Sequence, residues 1–211
     1  TRCEALGVPV HISGTVDADG HYRGKNYEIG MPGAYQHRNA AAAIEAAGLL
    51  ARTFAQITPQ AICEGVKNAR WPGRMELVGE RPQVILDGAH NVHGVRALVE
   101  SLRTWKPQQT YTFFMGVMAE KDYETMIELI LPLAEHIYTL TPDSSRALSA
   151  DALCAMIREK GGQADVCLDE QHLTELIRAR DADATCIVFG SLYLIGAVRK
   201  LFLEGILNID E

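Results

Sequence analysis

No stretch of the 211 residues approaches the roughly 18–20 consecutive apolar side chains that a membrane-crossing helix requires, so no membrane partner is expected. The first residues, Thr1-Arg2-Cys3-Glu4, have no basic segment with an apolar one behind it, and no secretory signal is visible. Cysteine is sparse: Cys3, Cys63, Cys154, Cys167 and Cys186 are odd in number and scattered, with no Cys-x-x-Cys. That spacing argues against a disulfide framework or a zinc ribbon, and for reduced, mostly buried thiols in a cytoplasmic protein. Positive charge is also in short supply. Against 20 Lys and Arg stand 27 Asp and Glu, a formal net charge of −7, which argues against a nucleic-acid surface. Repeats and low-complexity segments are lacking too. What is left is an ordinary globular composition, 47% hydrophobic and 22% charged, in a chain long enough for one large domain or two small ones.

A phosphate loop is missing as well. The run Gly20-His21-Tyr22-Arg23-Gly24-Lys25-Asn26 looks superficially like one. The Walker pattern, however, needs four residues between its glycines, then Lys followed by Ser or Thr. Here only three residues intervene, Asn26 replaces the hydroxyl, and the segment joins two strand-like stretches. A hairpin turn is the better reading.

Charge is divided unevenly along the chain. Residues 1–73 carry seven Lys and Arg and six Asp and Glu, net +1, whereas residues 74–211 carry 13 and 21, net −8. The step falls at Trp71-Pro72-Gly73-Arg74 and suggests a domain boundary, with domains over 1–73 and 74–211. In the first block, short strands are predicted over 8–12 and 27–31, around a turn at 17–20. An alanine-rich helix follows from about 36 to 54, and Thr58-Pro59 caps a second that ends near Asn68. After Arg74 the rhythm changes. Apolar strands over 84–86, 110–115, 137–140, 164–168 and 185–189 alternate with helices near 92–105, 122–134, 149–160, 170–180 and 191–203. Repeated βα units of this kind imply an α/β fold, a Rossmann-like, mainly parallel sheet covered on both faces. Ligands of such sheets sit beyond the carboxyl ends of the strands, so the residues directly after each strand are the candidates.

Asp87-Gly88-Ala89-His90-Asn91 follows the first of these strands at once. Asp87 stands at a strand's carboxyl end, the two small residues let a ligand approach the backbone, and Asn91 is placed to cap the next helix. A carboxylate there suits a ribose hydroxyl or a metal-bound water, and His90 suits phosphate or proton chemistry; a polar turn with an ordinary cap is the plainer alternative. Arg74 lies in the Trp-Pro-Gly-Arg step, where a guanidinium could clamp a phosphate or the segment could be merely a stiff linker. Gln36 and Asn39 share one face of a helix start and, as amides, could read adenine. Lys121, in Gly116-Val-Met-Ala-Glu-Lys121-Asp122, could bind a carboxylate or phosphate, or be a solvated loop residue. Ser191, in Gly190-Ser191-Leu192-Tyr193, opens the last helix, where backbone N–H groups could hold an anion. His11, His21, His136 and His172 show no ligand spacing and read as structural.

Taken in order, Gly33-x-Tyr-Gln36-x-x-Asn39-Ala40, Trp71-Pro-Gly-Arg74-x-Glu76, Asp87-Gly-Ala-His-Asn91, Gly116-x5-Asp122, Arg146-Ala147 and Gly190-Ser-Leu-Tyr-Leu194 resemble folylpolyglutamate synthase, a relative of the Mur ligases. The resemblance implies a Mur ligase carboxyl-terminal domain preceded by the end of a central ATPase domain. It also implies an ATP- and Mg²⁺-dependent ligase that adds L-glutamate to the γ-carboxylate of a folate through an acyl phosphate. By similarity, Asn39, Arg74 and Asp87 would bind ATP through adenine, phosphate and ribose respectively, with Gln36 assisting at the adenine. His90 would lie near the transferred phosphate and the incoming glutamate, with Lys121 and Ser191 on the glutamate side. The metal ligands, like the phosphate loop, would lie upstream of this chain, which alone should be inactive. Dihydrofolate synthase, or an enzyme with both activities, is the nearest alternative, and a non-catalytic nucleotide-binding module is an alternative of another class. The complete enzyme is expected to be a monomer acting on small molecules. A first block cut from its sheet would expose apolar faces and is expected to self-associate or to be poorly ordered.

Overall fold

The computed structural model describes residues 2–7 and 9–207 and divides into two compact units, Thr1–Arg70 and Trp71–Glu211.

In the first unit a four-residue helix, α1 (Arg2–Ala5), precedes a hairpin of β1 (His21–Tyr22) and β2 (Lys25–Asn26). Arg23 and Gly24, with φ of 48° and 74°, form its two-residue turn. Consecutive left-handed residues match the twist of a tight hairpin, so the segment that superficially resembles a phosphate loop is a strand connection. Two helices follow, α2 (Gln36–Leu50) and α3 (Pro59–Asn68). Thr58 caps α3 by accepting the Ala61 N–H, with Pro59 in the first turn. A small core gathers Val16, Tyr22, Tyr27, Ala41 and Ile44, with Ile62 and Val66 against it.

The strands expected over 8–12 and 27–31 are not formed. Val8 lies outside the described residues; residues 9–13 and 27–31 carry no strand. The apolar alternation at Tyr27-Glu28-Ile29 is real, since Tyr27 is buried and Glu28 exposed, but no strand lies beside it among the described residues. Val10 and Ile12 are exposed for the same reason. Helix α2 also ends at Leu50 rather than near 54, where tighter bonds from the Arg52 and Thr53 N–H groups to Leu49 and Leu50 close it.

The second unit is built on a six-stranded sheet in the order β3-β4-β8-β5-β6-β7. Its strands are β3 (Glu76–Glu80), β4 (Gln83–Leu86), β5 (Tyr111–Met115), β6 (Ala134–Thr139), β7 (Ala164–Val166) and β8 (Thr185–Phe189). All neighbours are parallel except β3 and β4. The interleaved helices are α4 (Val92–Trp105), α5 (Tyr123–Ile130), α6 (Ala150–Glu159), α7 (Glu170–Arg178) and α8 (Leu192–Leu203). Central β5 and β8 are buried at every residue, which is why they read as unbroken apolar runs.

Alternate side chains of each strand enter different cores. Ile85, Phe113, Met115, Ile187 and Phe189 pack with Leu98 of α4, Ile127 of α5 and Ile157 of α6. Val84, Leu86, Phe114 and Val188 pack with Ile177 of α7 and Val198 of α8. The chain therefore winds outward from β4 through β5, β6 and β7 with helices on one face, then returns through α7 on the other face to insert β8 between β4 and β5. That reversal makes the carboxyl ends of β4, β8 and β5 the switch point of the sheet, where ligands of doubly wound proteins bind.

Candidate functional site

At the end of β4, Asp87 is 3% exposed and its carboxylate is built into the backbone. Oδ2 accepts the Met75 N–H and Oδ1 the Ala89 N–H, each at 2.9 Å. The Gly88 N–H donates to the Gly73 carbonyl at 2.7 Å, so the loop after β4 and the turn before β3 are stitched together. Arg74 stands between the stitches, half-buried. A Cβ on Gly88 would lie 2.8 Å from Arg74 Nη1, which places the guanidinium over that glycine backbone. Among the described residues no hydrogen bond or ion pair engages the Arg74 side chain. A half-buried cation without a counter-charge is ready for an anion.

His90 Nδ1 lies 2.7 Å from the Gly88 carbonyl, which can only accept, so Nδ1 donates there and Nε2 is the ring nitrogen left for another partner. Asn91 caps α4 by accepting the Gly94 N–H at 2.8 Å, as its place in the sequence suggests. Arg74, Asp87 and His90 thus converge on one loop pair.

The neighbouring strand ends close the crevice. Gly190, after β8, has φ of 103° and donates its N–H to the Ala89 carbonyl; a Cβ there would lie 2.6 Å from the Gly116 carbonyl oxygen, after β5. Ser191 is buried, and its Oγ caps α8 by accepting the Tyr193 N–H at 3.1 Å, leaving the hydroxyl proton as what it can offer. Lys121 lies beyond β5, one-third exposed, with its ammonium 3.8 Å from Glu120, which Arg146 also approaches at 3.6 Å. In the first unit, Asn39 Nδ2 donates to Gln36 Oε1 at 2.9 Å, so the two amides do share a helix face; Gln36 is buried and Asn39 exposed.

Glu76, which stands within the Trp-Pro-Gly-Arg-x-Glu motif, and Arg199, which belongs to no motif, form a further pair beside the crevice. Glu76 Oε2 accepts the Gly73 N–H at 2.7 Å, and Arg199 Nε lies 2.9 and 3.1 Å from its two oxygens. The Gly-x-x-Glu spacing was a usable signal for the first contact. The second joins residues far apart in sequence and left none.

The donor set of the crevice does not fit a hard divalent cation. Both Asp87 oxygens are directed at backbone N–H groups, and His90 alone is a poor partner for Mg²⁺, which takes carboxylates and water. Asp17, Asp19 and His21 cluster within 4.8 Å in the first unit, but all are exposed and Asp17 Oδ1 closes the hairpin by accepting the Asp19 and His21 N–H groups. An acidic cleft of about 300 Å³ beyond β6 and β7, lined by Asp143, Asp151 and Asp169, is unsuited to an anionic ligand. Burial pushes the Cys167 and Cys186 thiols up to about 12, so neither is a thiolate at neutral pH. No helix among the described residues is long and apolar enough to cross a membrane.

Fold and crevice together define a doubly wound α/β domain with a half-buried arginine, unpaired among the described residues, at its switch point. The chain belongs to the Mur ligase family: the profile described as "Mur ligase, glutamate ligase domain" matches residues 73–192. It is 33% identical over 198 residues to a folylpolyglutamate synthase of Lacticaseibacillus casei, covering 90% of this chain and 43% of that one. It is 32% identical over 171 residues to a dihydrofolate synthase/folylpolyglutamate synthase of Bacillus subtilis, covering 80% and 39%. The bifunctional folylpolyglutamate synthase/dihydrofolate synthase of Yersinia pestis, solved with AMPPNP and a Mn ion, superposes with a TM-score of 0.69 at 25% identity, covering 83% of this chain and 40% of that one. The chain therefore spans about two-fifths of the length of these relatives.

Proposed function

We propose that the chain is the carboxyl-terminal part of an ATP-dependent ligase that joins the amino group of L-glutamate to the γ-carboxylate of a folate. Residues 1–73 are the end of its central ATP-binding domain and residues 74–211 its glutamate-ligase domain. The observation that carries this reading is the unpaired Arg74 guanidinium over Gly88, beside Asp87 and His90, at the switch point of the sheet. Relatives named for this activity, at 32–33% identity over most of the chain, support it.

In the reaction, a folate carboxylate oxygen attacks the γ-phosphorus of ATP and ADP leaves. The glutamate amine then attacks the acyl carbon of the acyl phosphate, and phosphate leaves. Such chemistry asks the protein to position groups and stabilise charge, with no covalent nucleophile. Arg74 neutralises the phosphoryl oxygens. Asp87, whose two oxygens already accept the Met75 and Ala89 N–H groups, orients the ribose through a remaining lone pair, and Asn39, with Gln36 behind it, reads the adenine. His90 Nε2, its ring fixed by the bond from Nδ1 to Gly88, faces the phosphate and the incoming amine. Lys121 draws in a glutamate carboxylate, and Ser191 donates its hydroxyl proton beside it. Mg²⁺, when bound, neutralises phosphate charge; its ligands belong to the rest of the ligase, and no role of these residues runs through it.

The protein acts in the cytoplasm, and the complete ligase is a monomer. The Bacillus subtilis relative is named for both activities, which favours dihydropteroate as a second acceptor. The convergence of Arg74, Asp87 and His90 favours a ligase over a non-catalytic nucleotide-binding module. Mass spectrometry of tetrahydrofolate and dihydropteroate incubated with ATP and L-glutamate tests the reading. The complete protein should add one glutamate for each ADP formed, and the 211-residue chain alone none. Product formed by the chain alone would refute its partial character; no product from the complete protein with either acceptor would refute the ligase.

A further inference from the structure

Arg74 is flanked by two left-handed residues, Gly73 at φ 68° and Met75 at φ 48°. Glycine adopts this conformation freely, whereas for methionine it is uncommon and costs energy. Met75 keeps it because its N–H is held by Asp87 and its side chain is buried in the core. Gly73 is tied on every side. Its carbonyl accepts from Gly88, its N–H donates to Glu76, and a Cβ on it would lie 2.5 Å from Ile195 Cδ1 of α8. Glu76 is in turn gripped by Arg199, about two turns into α8 from the cap at Ser191, with the two side chains only 23% and 33% exposed.

This arrangement solves a problem set by the sequence. A carboxylate two residues from Arg74 in sequence is a competitor for its guanidinium. Arg199 Nε engages both oxygens of that carboxylate, one of which also accepts the Gly73 N–H, so Glu76 is committed to Arg199 and the Gly73 backbone and Arg74 is left open. We infer that Glu76 and Arg199 are positioning residues that lock the 73–75 turn and hold the Arg74 guanidinium over Gly88 for the phosphates of ATP. The inference rests on the reading of Arg74 as a phosphate ligand. A turn fixed before the nucleotide arrives has little conformational freedom left to lose on binding.

Two measurements test it. In the 211-residue chain, Glu76→Gln should raise amide exchange in residues 71–76 by about tenfold while α4 keeps its protection. In the complete ligase, Glu76→Gln or Arg199→Ala should raise the KM for ATP about tenfold, the effect of losing one charge-assisted contact, with kcat within about twofold and the KM for glutamate unchanged. On an Arg74→Ala background the same substitutions should add nothing, because they act through Arg74. Unchanged exchange at 71–76, or KM effects that multiply with that of Arg74→Ala, would overturn the inference and leave the ligase reading standing. If Arg74→Ala alone left the KM for ATP at its original value, the phosphate role of Arg74 would fall and take this inference with it.

Discussion

Replacing Asp87 with Asn preserves volume and removes one charge, so its consequences isolate the carboxylate. The two oxygens accept N–H groups from opposite sides, Met75 and Ala89, each at 2.9 Å in a site only 3% exposed. An amide accepts on one side only; whichever way it turns, its NH₂ faces a backbone N–H. One hydrogen bond to a charged group is lost and one buried donor is left unmet, together about 3–4 kcal/mol. At about 2–4 °C per kcal/mol for a chain of this size, Asp87→Asn should melt about 6–16 °C lower, followed by circular dichroism. Asp87→Ala, which strands both N–H groups, should fall further. Exposed Asp143→Asn is the control and should stay within about 0.5 kcal/mol of the parent. A melt of Asp87→Asn within about 2 °C of the parent would refute the claim that this carboxylate holds the two loops together.

Two further consequences are measurable. The Cys167 and Cys186 thiols are held up to about 12 by burial, against about 8.5 in an unfolded chain, so between about pH 9 and 11 only the unfolded state releases these protons. The unfolded state then binds fewer protons, and unfolding free energy must fall as pH rises, by up to about 1.4 kcal/mol per unit for each thiol. Urea titrations should show a shallower fall for Cys186→Val than for the parent; identical slopes would contradict the burial argument. Gly190→Ala combines a left-handed φ of 103° with a Cβ 2.6 Å from the Gly116 carbonyl oxygen, and should destabilise by about 2–4 kcal/mol in urea. A loss below about 0.5 kcal/mol would mean the β8 and β5 ends are not in close contact.

Much of the second unit was legible because local signals agreed with its packing. Helix α4 runs over the expected 92–105 because Asn91 is a real cap, and β8 over the expected 185–189 because every residue of it is buried. Strand β3 was not foreseen: Glu76-Leu77-Val78-Gly79-Glu80 is an antiparallel edge strand with little burial pattern to announce it. Strand β6 begins at Ala134 rather than 137, since its early residues Glu135 and His136 are polar and partly solvated. In the first unit the alternation at Tyr27 and Ile29 reports packing on helices without a ladder, and periodicity alone does not separate the two. The site follows the same division. Asp87, His90 and Asn91 announce themselves by following a strand, whereas the grip of Arg199 on Glu76 arises only when α8 folds back across β3.

The most direct test of the account is the dependence of the proposed activity of the complete protein on the Arg74 guanidinium, read as kcat/KM for ATP. Arg74→Ala should lower it by about 10²–10³-fold, the effect of removing one preorganised charge from a phosphoryl site. Arg74→Lys should recover only part of it, since an ammonium cannot make the paired contact. An Arg74→Ala enzyme with unchanged kcat/KM for ATP would contradict the central claim that this crevice holds the nucleotide's phosphates.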